Sequence, residues 1–269
     1  TLSDTTVIAT IDDEPYYTLQ SAIEACTAEE NKVIKLETSI ALIEGQELNL
    51  ENKNITIDLN NNAIIGNTKN TLITTAGKLE IVDNSESKNG RIYGYGGKLI
   101  HNSGELRIAN GTFEVVGYKK DIITIENVGT GTIDISGGTF NANPVTSQEN
   151  KCIILLSTST GDIQISGGTF NFNIGSQYRV YRVIEINNEN TELKPKVTIT
   201  GDTTINTVPH VRPLEINNVN LEISGGTINA VSGSIIQNST ALITGGTVIG
   251  ELSFSNSTLN VKDTPILDK

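Results

Sequence analysis

The sequence predicts an all-β protein: a right-handed parallel β-helix of about nine coils, three short strands per coil, with a short N-terminal capping helix. Three observations predict it. The phrase I-x-I-x-G-G-T-F recurs along the chain, as "IDISGGTF" at 133–140, "IQISGGTF" at 163–170, "LEISGGTI" at 221–228 and "ALITGGTV" at 241–248. The composition is poor in aromatics (4%) and rich in Gly, Asn, Thr and Ile, which suits short strands joined by turns. Each copy is too small to bury its own apolar face, so copies must stack on one another.

The elements follow in chain order. "VIATI" at 7–11 and "VIKL" at 33–36 read as opening strands. Between them, "YTLQSAIEACTAEEN" at 17–31 has Leu19, Ile23 and Cys26 at helical spacing, with Thr18 as N-cap. This predicts a short amphipathic helix covering the first coil, whose open edge would otherwise invite strand addition. Residues 1–32 then form an N-terminal strand and cap, and 33–269 the β-helix, in one domain overall.

Within the stack, weaker copies flank the clear ones: "IDLNNNAI" at 57–64, "LEIVDNS" at 79–85, "LRIANGTF" at 106–113, "VTITGDTTI" at 197–205 and "LNVKDTPI" at 259–266. Aligning the second apolar residue gives Leu59, Ile81, Ile108, Ile135, Ile165, Ile199, Ile223, Ile243 and Val261, at steps of 18 to 34 residues. I-x-I alternates with period two, so both side chains face inward. The glycines permit a sharp bend, and T-F-N alternates again with Phe140 inward. Thr112, Thr139, Thr169, Thr204, Thr227 and Thr247 should form an outward file; Thr204 joins only if "GDTTI" carries one extra residue at its bend. Beside it run Glu114, Asn141, Asn171, Asn206, Asn229 and Ile249, whose ends break the regularity an ice-binding lattice needs. Third apolar pairs follow at Leu72-Ile73, Leu99-Ile100, Ile122-Ile123, Ile153-Ile154, Val183-Ile184 and Ile235-Ile236. Strands must stay in register, but loops at a bend can lengthen freely, which accounts for the unequal steps. Propeller blades recur at about 40 residues, longer than these steps.

Charge and cysteine count bound the function. A formal charge of −12 disfavours nucleic acid, whose backbone it would repel. No apolar run is long enough to span a membrane, and no signal-peptide pattern is present. The chain lacks Met and is expected to be a trimmed piece that continues into further modules. Cys26 and Cys152 read as buried hydrophobes, and with two histidines no zinc site, metal or cofactor is expected.

The combination "YYTLQSAIEAC", "VIKL" and serial I-x-I-x-G-G-T-F resembles the pectate-lyase-like right-handed β-helix family, and more narrowly the β-helical repeat regions of bacterial, often Gram-positive, surface and adhesin-like proteins. The resemblance implies the fold over almost the whole chain; that superfamily spans lyases, hydrolases, tailspikes, glycan binders and inert stalks. Its enzyme motifs are missing here. Asp12-Asp13 precedes the stack, and "HVRPLEI" at 210–216 offers Arg212 and Pro213 without the accompanying acids. Asp58 and Glu80, placed one coil apart by the alignment, have the separation of a retaining glycosidase pair, but column geometry produces that separation by default. Nor does the chain carry the G-G-x-G-x-D repeat of calcium-binding β-rolls.

Five of the seven tyrosines gather with basic residues in the loops after T-F. They are Tyr93 and Tyr95, Tyr118 with Lys119 and Lys120, and Tyr178, Arg179, Tyr181 and Arg182. Aromatic rings stack on sugar faces, while Arg and Lys bond hydroxyls or acidic groups. These residues are the expected binding site for a polysaccharide or host-surface glycan. The same loops also fit ordinary packing, with tyrosine covering apolar strand edges. The expectation is an extracellular, cell-surface or secreted module, a rigid spacer or adhesin segment; a polysaccharide lyase or glycoside hydrolase is the rival.

Overall fold

The computed structural model describes residues 6–67, 70–117, 121–144, 151–174, 180–263 and 265–268. It is a parallel β-helix. Among the described residues ten strands stack on the first face, from Lys32–Leu36 to Thr258–Val261, and nine on the third, from Leu48–Asn49 to Leu252–Ser255. Nine coils are therefore complete and a tenth begins. First- and second-face strands belong to one continuous sheet, and two of them, Asn220–Asn229 and Thr240–Ile249, run straight through the bend.

The register of the first two faces follows the repeated motif. Ile81, Ile108, Ile135, Ile165, Ile199, Ile223, Ile243 and Val261 lie opposite one another coil by coil. The threonine file runs from Thr112 to Thr247 as expected, with Thr204 opposite Thr169. The extra residue at that bend is Asp202: Thr203 takes the place of the second glycine, its carbonyl accepting from the Thr227 N–H at 2.8 Å, and its buried hydroxyl donates to the Thr200 carbonyl at 2.7 Å. Beneath the threonines, Phe113, Phe140 and Phe170 stack with centroids 5.0 and 4.6 Å apart. The Gly-Gly bend has two separate causes. At Gly167 a Cβ would lie 2.3 Å from the Ser136 carbonyl of the preceding coil, so coils can approach only over a bare Cα; Gly168 needs φ +97°.

The alignment fails at its start. Ile57, not Leu59, lies opposite Ile81, so Thr56 faces Glu80 and Asp58 faces Val82. "ITIDL" offers two I-x-I registers with no Gly-Gly to choose between them. Leu59 instead sits in the bend, where a Cβ on Gly90 would touch it at 2.5 Å. The third face also departs from the apolar pairs of the sequence, by two residues at Ile122-Ile123 and by one at Ile153-Ile154. Its core column runs Ile73, Ile100, Ile125, Leu155, Ile184 and Leu214, which leaves Ile123 and Ile153 on the outer side. There they form a satellite cluster with Leu156.

The N-terminal end is closed. Leu19–Glu24 forms the helix, capped by Thr18, which accepts from the Ser21 N–H at 3.1 Å; Leu19, Ala22 and Ile23 are buried. The helix is shorter than the segment that suggested it, because Ala28, Glu29, Glu30 and Asn31 offer no large apolar side chain to bury. Ala9–Ile11 pairs antiparallel with the edge of the first coil at Leu36, and also with Glu14–Tyr16. Asp12 and Asp13, at φ 51° and 66°, make this turn. Cys26 and Cys152 are both buried. At the other end Leu259, Val261 and Leu267 are exposed, although their partners one coil earlier, Ala241, Ile243 and Val248, are buried.

Candidate functional site

The expected corner divides between two faces. Tyr118, Lys119, Lys120, Tyr178 and Arg179 lie outside the described residues. In the strand Arg91–Tyr95, Ile92 and Gly94 point inward, so Arg91, Tyr93 and Tyr95 face out from the second face. The Tyr93 and Tyr95 rings meet edge to face, centroids 4.9 Å apart, with Tyr95 exposed. Burial, a bond from the Tyr93 hydroxyl to that of Tyr95, and the nearby Glu114 push the Tyr93 phenol well above its ordinary value, so it stays neutral.

Tyr181 does not join them. It continues the inward column of Ile122 and Cys152, is buried, and lies 5.4 Å from the Phe172 ring. Its ring offers no surface to a ligand. Arg182, next in the strand, points out from the third face. Its Nη1 donates to the Tyr181 carbonyl at 3.0 Å and its Nε to Glu215, which also accepts from Arg212 Nη1 at 2.7 Å.

This pairing is part of a row of charges that the sequence did not reveal as a site. Glu126 binds both Lys98 and His101, and Lys151 lies 3.2 Å from Glu185. Burial alone would raise the Glu126 carboxyl, but the bonds from Lys98 and His101 outweigh it and hold the group below its ordinary range. Glu215 is likewise lowered against burial, by Arg212 and Arg182. Both are ionised counter-ions, the reverse of the raised carboxyl that a general acid needs. A textual trace existed in "IEINN" at 184–188 and "LEINN" at 214–218, which place Glu185 opposite Glu215.

Two columns of the second face are regular. Tyr93, Glu114, Asn141, Asn171, Asn206 and Asn229 lie opposite one another in successive coils. Each asparagine amide donates to the Oδ1 of the coil before, at 3.1 Å from Asn171, 3.0 Å from Asn206 and 2.8 Å from Asn229. A third short column continues from Tyr95, with Asn173 donating to Asn143 and Asn143 to Glu114. The hydroxyls of Thr139, Thr169, Thr204 and Thr227 make no hydrogen bond among the described residues and are partly exposed. The Tyr93–Tyr95 pair therefore heads a straight polar track.

The first face carries a shallow hollow of about 250 Å³ lined by Asn31, Asn54, Lys78, Glu80, Glu105 and Arg107. The glycosidase-like pair is not there. Asp58 is buried one register away and is occupied by the N–H groups of Asn60 and Asn84 at 3.0 Å. Among the described residues no group of three or more His, Cys, Asp or Glu could hold a metal ion, and no helix is long and apolar enough to cross a membrane. The chain matches no family model, no curated protein and no solved structure.

Proposed function

We propose that this chain is a rigid β-helical module of an extracellular bacterial surface protein, and that its second face recognises glycans. The observation that carries the reading is the exposed Tyr93–Tyr95 pair at the head of a fixed track of hydroxyls and amides. Edge-to-face tyrosines offer a ring surface for sugar stacking, and the columns offer paired donors and acceptors for hydroxyls. A stack of coils sharing one core supplies the stiffness a spacer needs.

The test passes immobilised neutral and acidic polysaccharides over the protein, following retention and the appearance of new reducing or unsaturated ends. Retention without new ends is expected, and Tyr95→Ala should abolish it. New chain ends would establish the lyase or hydrolase reading instead. No retention on any polysaccharide would leave only the spacer.

A further inference from the structure

We infer that the ligand of the second face is an extended, neutral, β-linked polysaccharide lying parallel to the helix axis, about one sugar residue per coil. The inference rests on the glycan reading above and adds the ligand's class, direction and length.

Direction comes from the columns. Tyr93 shares its column with Glu114, Asn141, Asn171, Asn206 and Asn229, so it lies on one line with the amides down the axis, and Tyr95 stands in the adjoining column. Tyr93 to Asn229 covers five coil-to-coil steps, about 24 Å at the spacing of paired strands. Threonine and asparagine columns stand two residues apart on each strand, about 7 Å, close to the width of one sugar ring.

Preorganisation comes from the ladder. In each Asn–Asn bond one amide N–H and one oxygen lone pair are used, which leaves the second N–H and the second lone pair towards solvent. The four coils from Asn141 to Asn229 thus present the same amide, with a Thr hydroxyl beside each. Their rotamers are already fixed by the ladder, so a ligand would not bear the entropy of ordering them.

Neutrality comes from what the track lacks. From Thr139 and Asn141 to Thr227 and Asn229 neither column holds a charged side chain, and the chain as a whole is formally −12. At the head of the track the two columns hold one charge of each sign, Arg91 and Glu114, so a polyanion would find a single counter-charge beside a carboxylate and none in the coils that follow. Extension follows from straightness: a β-1,4-linked chain has a residue repeat close to one coil step and stays beside the track. An α-1,4-linked chain coils away after a few residues.

The test is a length series. Cello-, chito- and manno-oligosaccharides of two to eight units are titrated into the protein by calorimetry, with malto-oligosaccharides of equal length as controls. For at least one β-linked series, affinity should rise with each unit to about six and then level off; the malto series should not rise. Asn206→Ala, four coils from Tyr93, should weaken the six-unit ligand roughly tenfold, about 1.4 kcal/mol, and leave the two-unit ligand unchanged. Thr204→Val, which keeps the ladder amide, should act in the same direction. Equal affinity for two and six units, or equal loss of both in Asn206→Ala, would overturn the axial track while sparing glycan recognition at the tyrosines. No binding of any glycan would defeat both.

Discussion

The second and third faces belong to the same coils and share one core, yet their outer surfaces differ in what the side chains do to one another. The second repeats like on like: threonine over threonine, asparagine over asparagine. The third also stacks like residues, Arg182 opposite Arg212, Glu185 opposite Glu215 and Asn187 opposite Asn217, but ties its charges into pairs, Lys98 and His101 on Glu126, Arg182 and Arg212 on Glu215. The connections explain the difference. A second-face strand follows a short bend whose geometry glycine fixes, so the motif carries its own register. A third-face strand follows a connection of variable length, and its outward residues need only match the charges of adjacent coils. Identical ladders make a uniform surface that an ordered ligand can read, whereas complementary ladders consume their own charges.

Core substitutions under the second face should break this contrast most strongly. Phe140 lies between two rings, and Phe140→Ala should cost about 3–5 kcal/mol in chemical unfolding. A loss below about 1 kcal/mol would show that the ring stack does not hold that face flat. Gly167→Ala comes next. Its Cβ would meet the Ser136 carbonyl at 2.3 Å, and forcing the coils apart should cost about 1–3 kcal/mol, read as a lower unfolding midpoint.

The third face can be loosened by charge alone. Glu215→Gln leaves two guanidiniums without their shared anion, and Arg182 has only 13% of its side chain exposed. Glu215 is about one-third exposed, so solvent screening reduces the expected loss to about 1 kcal/mol. The pH dependence has a definite sign. Glu126 and Glu215 both titrate below the ordinary 4.5 when folded. Their contribution is therefore full above that value and is lost as pH falls through the depressed one. The stability gap between the native protein and Glu126→Gln/Glu215→Gln should be present at neutral pH and close in acid. A gap that widened in acid would reverse the assignment. The asparagine ladder has nothing to titrate, and Asn206→Ala should cost about 0.5–1 kcal/mol at every pH, the smallest effect of the series.

Legibility in the sequence followed the same division. The eight-fold column from Ile81 to Val261, the threonine file and its neighbouring asparagines were all readable, because Gly-Gly marks the bend in four copies and the weaker copies can be set against those. Leu59 was misplaced where that mark is missing. In "DIITIEN" the one adjacent apolar pair is not the pair that enters the core, and in "KCIILLS" three adjacent pairs compete, so the slips of two and one residues that turn Ile123 and Ile153 outward left no trace. Tyr181 was drawn to the binding corner by its aromatic and basic company. Its alternation with Arg182 decides the matter, since only one of the two can face out. The N-terminal hairpin escaped notice because two aspartates, not Asn-Gly, take the left-handed conformation at its turn.

The most direct test compares the two faces within one experiment. Asn206→Ala and Glu215→Gln proteins, each confirmed folded, are run beside the native protein on the β-linked glycan that retains it. Retention should fall sharply for Asn206→Ala and stay at the native level for Glu215→Gln. The opposite pattern would move recognition to the charged face and contradict the account.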